Sequence, residues 1–297
     1  MPIADTVKTL LSRGGLQSVS LPFMSGLARL HGHGVQRIFL DDGIWMHQTS
    51  YGYFAYHQPY VRLDLSRLDR LAQQNFLWGY LPKAGDVIID VGAGVGEETL
   101  TFSRAVGARG KVICIEAHPR TYRCLEKLVR YNRLENVIPI QVAVTEPGCS
   151  VVTIESNNEY LSNRMGGAGV SVPATTIDAI HRQLNLGRVH FLKMNIEGAE
   201  RLAIYGMAAT LEETEALCVS CHDFLAQSAK DDGLRTKGSV RDFLRQNGLG
   251  VQERVEPGLP PYVRDQLWAY NRGPLQKTAG KAPSAHGRCP PTPYLLD

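Results

Sequence analysis

Two stretches of the chain carry residue types whose spacing suits chemistry. The first is 87-VIIDVGAGVGEE-98, an apolar run that ends directly in Gly92, Gly94 and Gly96. Glycines there let the backbone turn tightly and let a ligand approach without a Cβ in the way. A second apolar run, 112-VICIE-116, ends on Glu116, twenty residues past Gly96. An acid at that distance from a glycine loop suits the two hydroxyls of a ribose. A dinucleotide fingerprint would place its third glycine at position 97, which is Glu97 here. A negative side chain at a helix start opposes a bound pyrophosphate. It tolerates a nucleoside with no phosphate and a positive charge, and S-adenosyl-L-methionine has that character. The bland alternative is a tight turn with no ligand.

The second stretch is 191-FLKMNIEGAE-200. An apolar strand-like run stops on Asn195, Glu197 and Glu200. Acids have no packing use there, so they cap a helix starting near Gly198 or they face a ligand. A later run, 216-ALCVSC-221, stops in the same manner on His222 and Asp223. Imidazole is half titrated near neutral pH, so His222 is a candidate proton acceptor. Asp223 would orient it, or His222, Asp223 and Glu197 would together hold a divalent cation.

Something must hold those strand ends on one rim. Nearly continuous apolar runs at 87–91, 112–116, 137–144, 189–196 and 216–221 read as parallel strands buried on both faces. Helical patterns at 97–106, 119–132, 175–185, 198–206 and 238–247 separate or follow them, and 251–257 and 266–272 read as a closing hairpin. This alternation predicts an α/β doubly wound, Rossmann-like sheet of about seven strands, mostly parallel, with an antiparallel last strand. Residues 1–80 read as an N-terminal helical extension, a substrate lid or oligomer contact. It holds a helix over 66–81 capped by Ser66 and an aromatic segment at 44–60. Residues 81–272 form the binding domain. A strand at 150–156 precedes a glycine-rich mobile loop at 157–172, and 273–297 is a flexible tail.

Composition narrows the classes. A net charge of +3 is too small to suggest nucleic-acid binding. No apolar run approaches the roughly 20 residues of a membrane span. Asp5 and the lack of a long apolar core argue against a secretory signal, so the expected location is cytoplasmic. The pair Cys218 and Cys221 lies on a strand, where residues three apart face opposite sides and chelate poorly together.

Together, D-V-G-A-G-V-G-E, G-K-V-I-C-I-E-A-H-P, 119-PRTYRCLEKLVRYNRLENV-137, Ala143-Val144 and 192-LKMNIEGAE-200 resemble class I S-adenosylmethionine-dependent methyltransferases, and within them the FkbM family. The resemblance covers roughly 80–225. It implies cofactor contacts from Asp90, Gly92, Ala93, Gly94, Gly96, Glu97, Thr99, Glu116, Ala117, His118, Ala143 and Asn195. It also implies O-methylation of a hydroxyl on a sugar, glycolipid or natural product, with catalytic roles for His222, Glu197 and Asp223. The family's fourth strand usually ends K-I-D-V-E-G; Asn195 replaces the Asp, which removes one carboxylate. The expected partner is a small hydroxylated acceptor, with room for a homo-oligomer. The rival readings are a nicotinamide-dependent oxidoreductase and a non-catalytic binding protein of the same fold.

Overall fold

The structure is a computed structural model that describes residues 17–30, 34–60, 63–155, 165–166, 169–229 and 232–271. The predicted tail, most of the loop at 157–172, the first 16 residues and Cys289 lie outside the described residues.

The central element is a seven-stranded sheet. Its strands are β4 (Val87–Val91), β5 (Lys111–Ile115), β6 (Val137–Ile140), β10 (Val189–Met194), β11 (Thr214–Ser220), β12 (Gly250–Glu253) and β13 (Gln266–Tyr270). Their order is β12-β13-β11-β10-β4-β5-β6, and β13 runs antiparallel to both its neighbours. Apolar side chains alternate between the two faces. Ile89, Ile113 and Leu192 pack on one side, and Ile88, Val112 and Phe191 on the other. Cys218 and Cys221 fall on opposite sides, as a strand requires. From β4 the chain proceeds outward through β5 and β6; from β10 it proceeds the other way. The strand order therefore reverses between β4 and β10, and a ligand crevice belongs outside the carboxyl ends of those strands.

Two predicted elements change form. The apolar run 137–144 is not one strand. Pro139 lies within β6, at the sheet edge where a missing N–H is tolerated. The chain then leaves the sheet, and β7 (Ala143–Val144) pairs with β9 (Gly169–Thr175) in a separate three-stranded sheet completed by β8 (Val151–Glu155). The strand β9 occupies part of the stretch predicted as mobile loop.

The N-terminal extension does hold helices, α1 (Gln17–Leu30) and α2 (Leu65–Phe76). Ser66 lies inside α2 rather than at its cap, and α2 stops five residues before position 81. Between the helices lies an antiparallel sheet that the sequence reading lacked: β1 (Val35–Asp41), β2 (Ile44–Thr49) and β3 (Tyr53–Tyr56). Its inner face, with Ile38, Met46 and Phe54, packs on Leu100 of α3 (Thr99–Val106) and on Cys124 and Leu128 of α4 (Pro119–Asn132). Aromatics in 44–60 thus serve chiefly as packing. Asp41 receives the Lys127 ammonium at 2.6 Å, the Arg130 guanidinium at 2.8 Å and the Tyr131 hydroxyl at 3.1 Å.

Candidate active site

An open cleft lies at the carboxyl ends of β4, β5 and β10. Of the residues singled out in the sequence, Gly92, Gly94, Glu116, Ala117, His118, Ala143, Asn195 and Glu197 line it. Ile154 of β8 and Met165 cover it from the small sheet, and neither was foreseen.

The glycine loop is wound tightly. The N–H groups of Gly92 and Ala93 both donate to the Ile115 carbonyl, at 2.9 and 3.0 Å. Gly92 has φ of +76°, and a Cβ on it would lie 2.0 Å from the Asn195 carbonyl oxygen. Only glycine fits that approach. The Gly94 N–H donates to Glu116 Oε2 at 3.0 Å, and the His118 N–H to Glu116 Oε1 at 2.9 Å. The carboxylate is thereby fixed with lone pairs to spare. Burial raises its pKa to about 7, against the lowering effect of those two N–H groups. Burial, then the Arg120 guanidinium, depress the His118 imidazole.

Several implied cofactor contacts sit beneath or beside the cleft instead. Asp90 is fully buried and ion-paired with Lys193 at 2.8 Å. Ala93, Gly96 and Thr99 are packed inward, and the Thr99 hydroxyl lies 3.4 Å from Cys114 Sγ. Glu97 turns toward the N-terminal sheet, where Oε1 accepts the Tyr56 hydroxyl at 3.0 Å.

At the other end of the cleft the chain leaves β10 through Asn195, whose N–H donates to the Val91 carbonyl at 2.9 Å. Its Oδ1 is buried and, among the described residues, has no hydrogen-bond partner. Glu197 follows with φ of +54°, a conformation that costs a non-glycine residue roughly 1–3 kcal/mol and persists where the surroundings impose it. Glu200 helps impose it. Its Oε1 accepts the N–H groups of Ile196 at 3.1 Å and Gly198 at 3.2 Å. This is the capping role the sequence allowed for it.

His222 bridges the two acids, with Nδ1 at 2.9 Å from Glu200 Oε1 and Nε2 at 3.4 Å from Glu197 Oε1. Burial pulls its pKa down, but Glu200 and Glu197 outweigh it and hold the imidazole near 10. An imidazolium has no lone pair for a proton, so His222 does not suit the base role expected of it. Asp223 does not orient it either. Asp223 Oδ1 accepts the N–H groups of Thr236 and Lys237, both at 2.8 Å, at the start of α9 (Lys237–Gln246). The predicted cation site of Glu197, His222 and Asp223 is therefore not assembled. Among the described residues no group of three or more His, Cys, Asp or Glu side chains is placed to hold a metal.

The residues fit S-adenosylmethionine. Glu116 is a fixed carboxylate with acceptor capacity left for hydroxyls, and the buried Asn195 Oδ1 has no partner among the described residues. No described helix is long and apolar enough to cross a membrane.

Comparison with curated proteins found no match. Among solved structures the chain is similar to fibrillarin from Aeropyrum pernix, in complex with S-adenosyl-L-methionine. There the identity is 17%, the TM-score 0.43, and the coverage 80% of this chain and 98% of that one. It is also similar to methyltransferase FkbM from Methylobacillus flagellatus, at 17% identity and a TM-score of 0.43. That match covers 67% of this chain and 47% of that one. A family model, the methyltransferase FkbM domain, matches residues 90–248, more than half of the chain. The chain belongs to the FkbM family of S-adenosylmethionine-dependent methyltransferases.

Proposed function

We propose that the chain methylates a hydroxyl of a small acceptor, with Glu197 as the residue that receives the acceptor's proton. The observation that carries this reading is one cleft bounded by two carboxylates with different settings. Glu116 is locked by the Gly94 and His118 N–H groups, and Glu197 is held at the end of β10 beside His222. Glu116 accepts hydrogen bonds from the ribose diol. Gly92 and Gly94 leave the backbone open beside it, and the buried Asn195 Oδ1 accepts a donor. When bound, S-adenosylmethionine supplies an electrophilic methyl on a sulfonium.

A hydroxyl whose pKa lies far above neutral attacks poorly unless its proton leaves as the new bond forms. Glu197 is the group on this rim with a free role in that transfer, since Asn195 is an amide and His222 is already protonated. Alignment of the acceptor with the methyl, and exclusion of water as it binds, supply much of the rate. Residues 81–272 would hold the cofactor.

Incubation with S-adenosylmethionine and a panel of sugars, glycolipids and phenols, read by mass spectrometry, tests the proposal. A product heavier by one methylene on oxygen is the expected result. Glu197→Gln should lower turnover by about 10²–10⁴-fold with S-adenosylhomocysteine binding retained. Transfer to nitrogen or sulfur acceptors alone, or a fully active Glu197→Gln, would overturn it.

A further inference from the structure

Lys193 is the one charged residue inside β10, a strand with full burial at nearly every position. It is 1% exposed. Withdrawing an ammonium from water costs several kcal/mol, so its surroundings must compensate. The parallel register sets Lys193 beside Asp90 of β4, and Nζ reaches Asp90 Oδ1 at 2.8 Å. Burial lowers the lysine pKa, but Asp90 and then Glu98 more than reverse this, so the ammonium stays charged. Glu98 itself is pushed up, first by burial.

Neutralising Asp90 requires only that one contact. The ammonium makes a second. Nζ donates to the Gly92 carbonyl at 2.9 Å, and the Phe76 ring lies 5.0 Å from it. Gly92 opens the cofactor loop. Its N–H is tied to Ile115 and its Cα rests against the Asn195 backbone, so the lysine contact closes the last freedom of that peptide. Two residues later the Gly94 N–H holds Glu116. We infer that Lys193 is a positioning residue for cofactor binding: its ammonium fixes the Gly92 carbonyl from below and so aims the Gly94 N–H at Glu116. This rests on the reading of that loop and Glu116 as the cofactor cradle.

The test removes the loop contact without leaving Asp90 as an unpaired charge. Lys193→Met alone strands Asp90 in the core, so the informative variant is Lys193→Met with Asp90→Asn, which removes both charges. Calorimetry with S-adenosylhomocysteine and a melting curve are measured on this double variant and the parent. The expected result is a melting temperature within a few degrees of the parent and S-adenosylhomocysteine binding at least about ten-fold weaker, the scale of one charge-assisted hydrogen bond. Equal binding by the double variant would reduce Lys193 to a core ion pair and overturn the inference.

Should the double variant fail to fold, the parent with ¹⁵N-labelled lysine answers instead. The Lys193 ammonium signal must move when S-adenosylhomocysteine saturates the site, and an unmoved signal refutes the coupling. A parent that does not bind S-adenosylhomocysteine at all would defeat the cradle reading itself, and this inference with it.

Discussion

In the proposed role Glu116 accepts hydrogen bonds from a neutral diol, which only its ionised form does with both oxygens. Its pKa, raised by burial to about 7, makes that form conditional on pH. Binding of S-adenosylhomocysteine should therefore weaken as pH falls below about 7, approaching ten-fold per unit, with a proton released on binding near neutrality. Glu116→Gln should bind weakly at every pH and lose the slope, and calorimetry from pH 5.5 to 8.5 decides it. His222 gives the opposite sign. Its pKa is raised to about 10, above the unfolded value near 6.5. Its contribution to stability is complete below about 6.5 and is lost as pH rises through about 10. The His222 ring resonances should stay in the imidazolium position from pH 6 to 9; a titration near 6.5 would contradict the bridge. The place of Glu116 beside the glycine loop was legible in the sequence because it depends on spacing along two adjacent strands. The charge of His222 was not, because Glu200 and Glu197 come from a different strand end. Asp223, adjacent in sequence, turns to the start of α9 instead.

At the scale of elements, the central strands could be read because burial on both faces leaves an unbroken apolar run. The same rule misled at 137–144, where apolar residues continue through Pro139 into a different sheet. The strand β9 escaped notice because four of its seven positions are exposed and its residues are small. The β1–β2 hairpin did carry a signal. Asp42 and Gly43 both have positive φ, as a two-residue Asp-Gly turn requires. The glycine loop was legible by type but not in its reason, which is the close packing of Gly92 on the Asn195 backbone. That packing makes Gly92→Ala a severe change. With Cβ 2.0 Å from a carbonyl oxygen and φ at +76°, it should cost several kcal/mol. Gly85→Ala has positive φ but open space around it and should cost only about 1 kcal/mol. Denaturant midpoints of the two variants test the contrast; equal losses would mean that the loop can shift away from β10.

Across the whole molecule, the N-terminal sheet and the seven-stranded sheet are joined through α4. The apolar part of that junction is generic; the Asp41 cluster and Asn132 make it specific. Asn132, the last residue of α4, accepts the Tyr53 N–H at 2.9 Å and donates to the Tyr53 carbonyl at 2.7 Å and the Leu128 carbonyl at 2.8 Å. A side-chain amide thus pairs with the start of β3 as a neighbouring strand would. From there β3 runs to Tyr56, whose hydroxyl reaches Glu97 at the end of the glycine loop. Asn132→Ala removes the partners of a part-buried N–H and carbonyl, at about 1–3 kcal/mol each when left unsatisfied. The expected loss is about 2–4 kcal/mol, and it should be local. Hydrogen exchange should quicken across residues 35–56, while β4, β5 and β10 keep the protection of the parent. Uniform quickening would make the two sheets one cooperative unit; no change at 35–56 would show that the apolar contacts of Ile38, Met46 and Phe54 suffice. Local loosening would leave the cofactor cradle intact and release the Tyr56 contact. S-adenosylhomocysteine affinity in Asn132→Ala should therefore stay near the parent value.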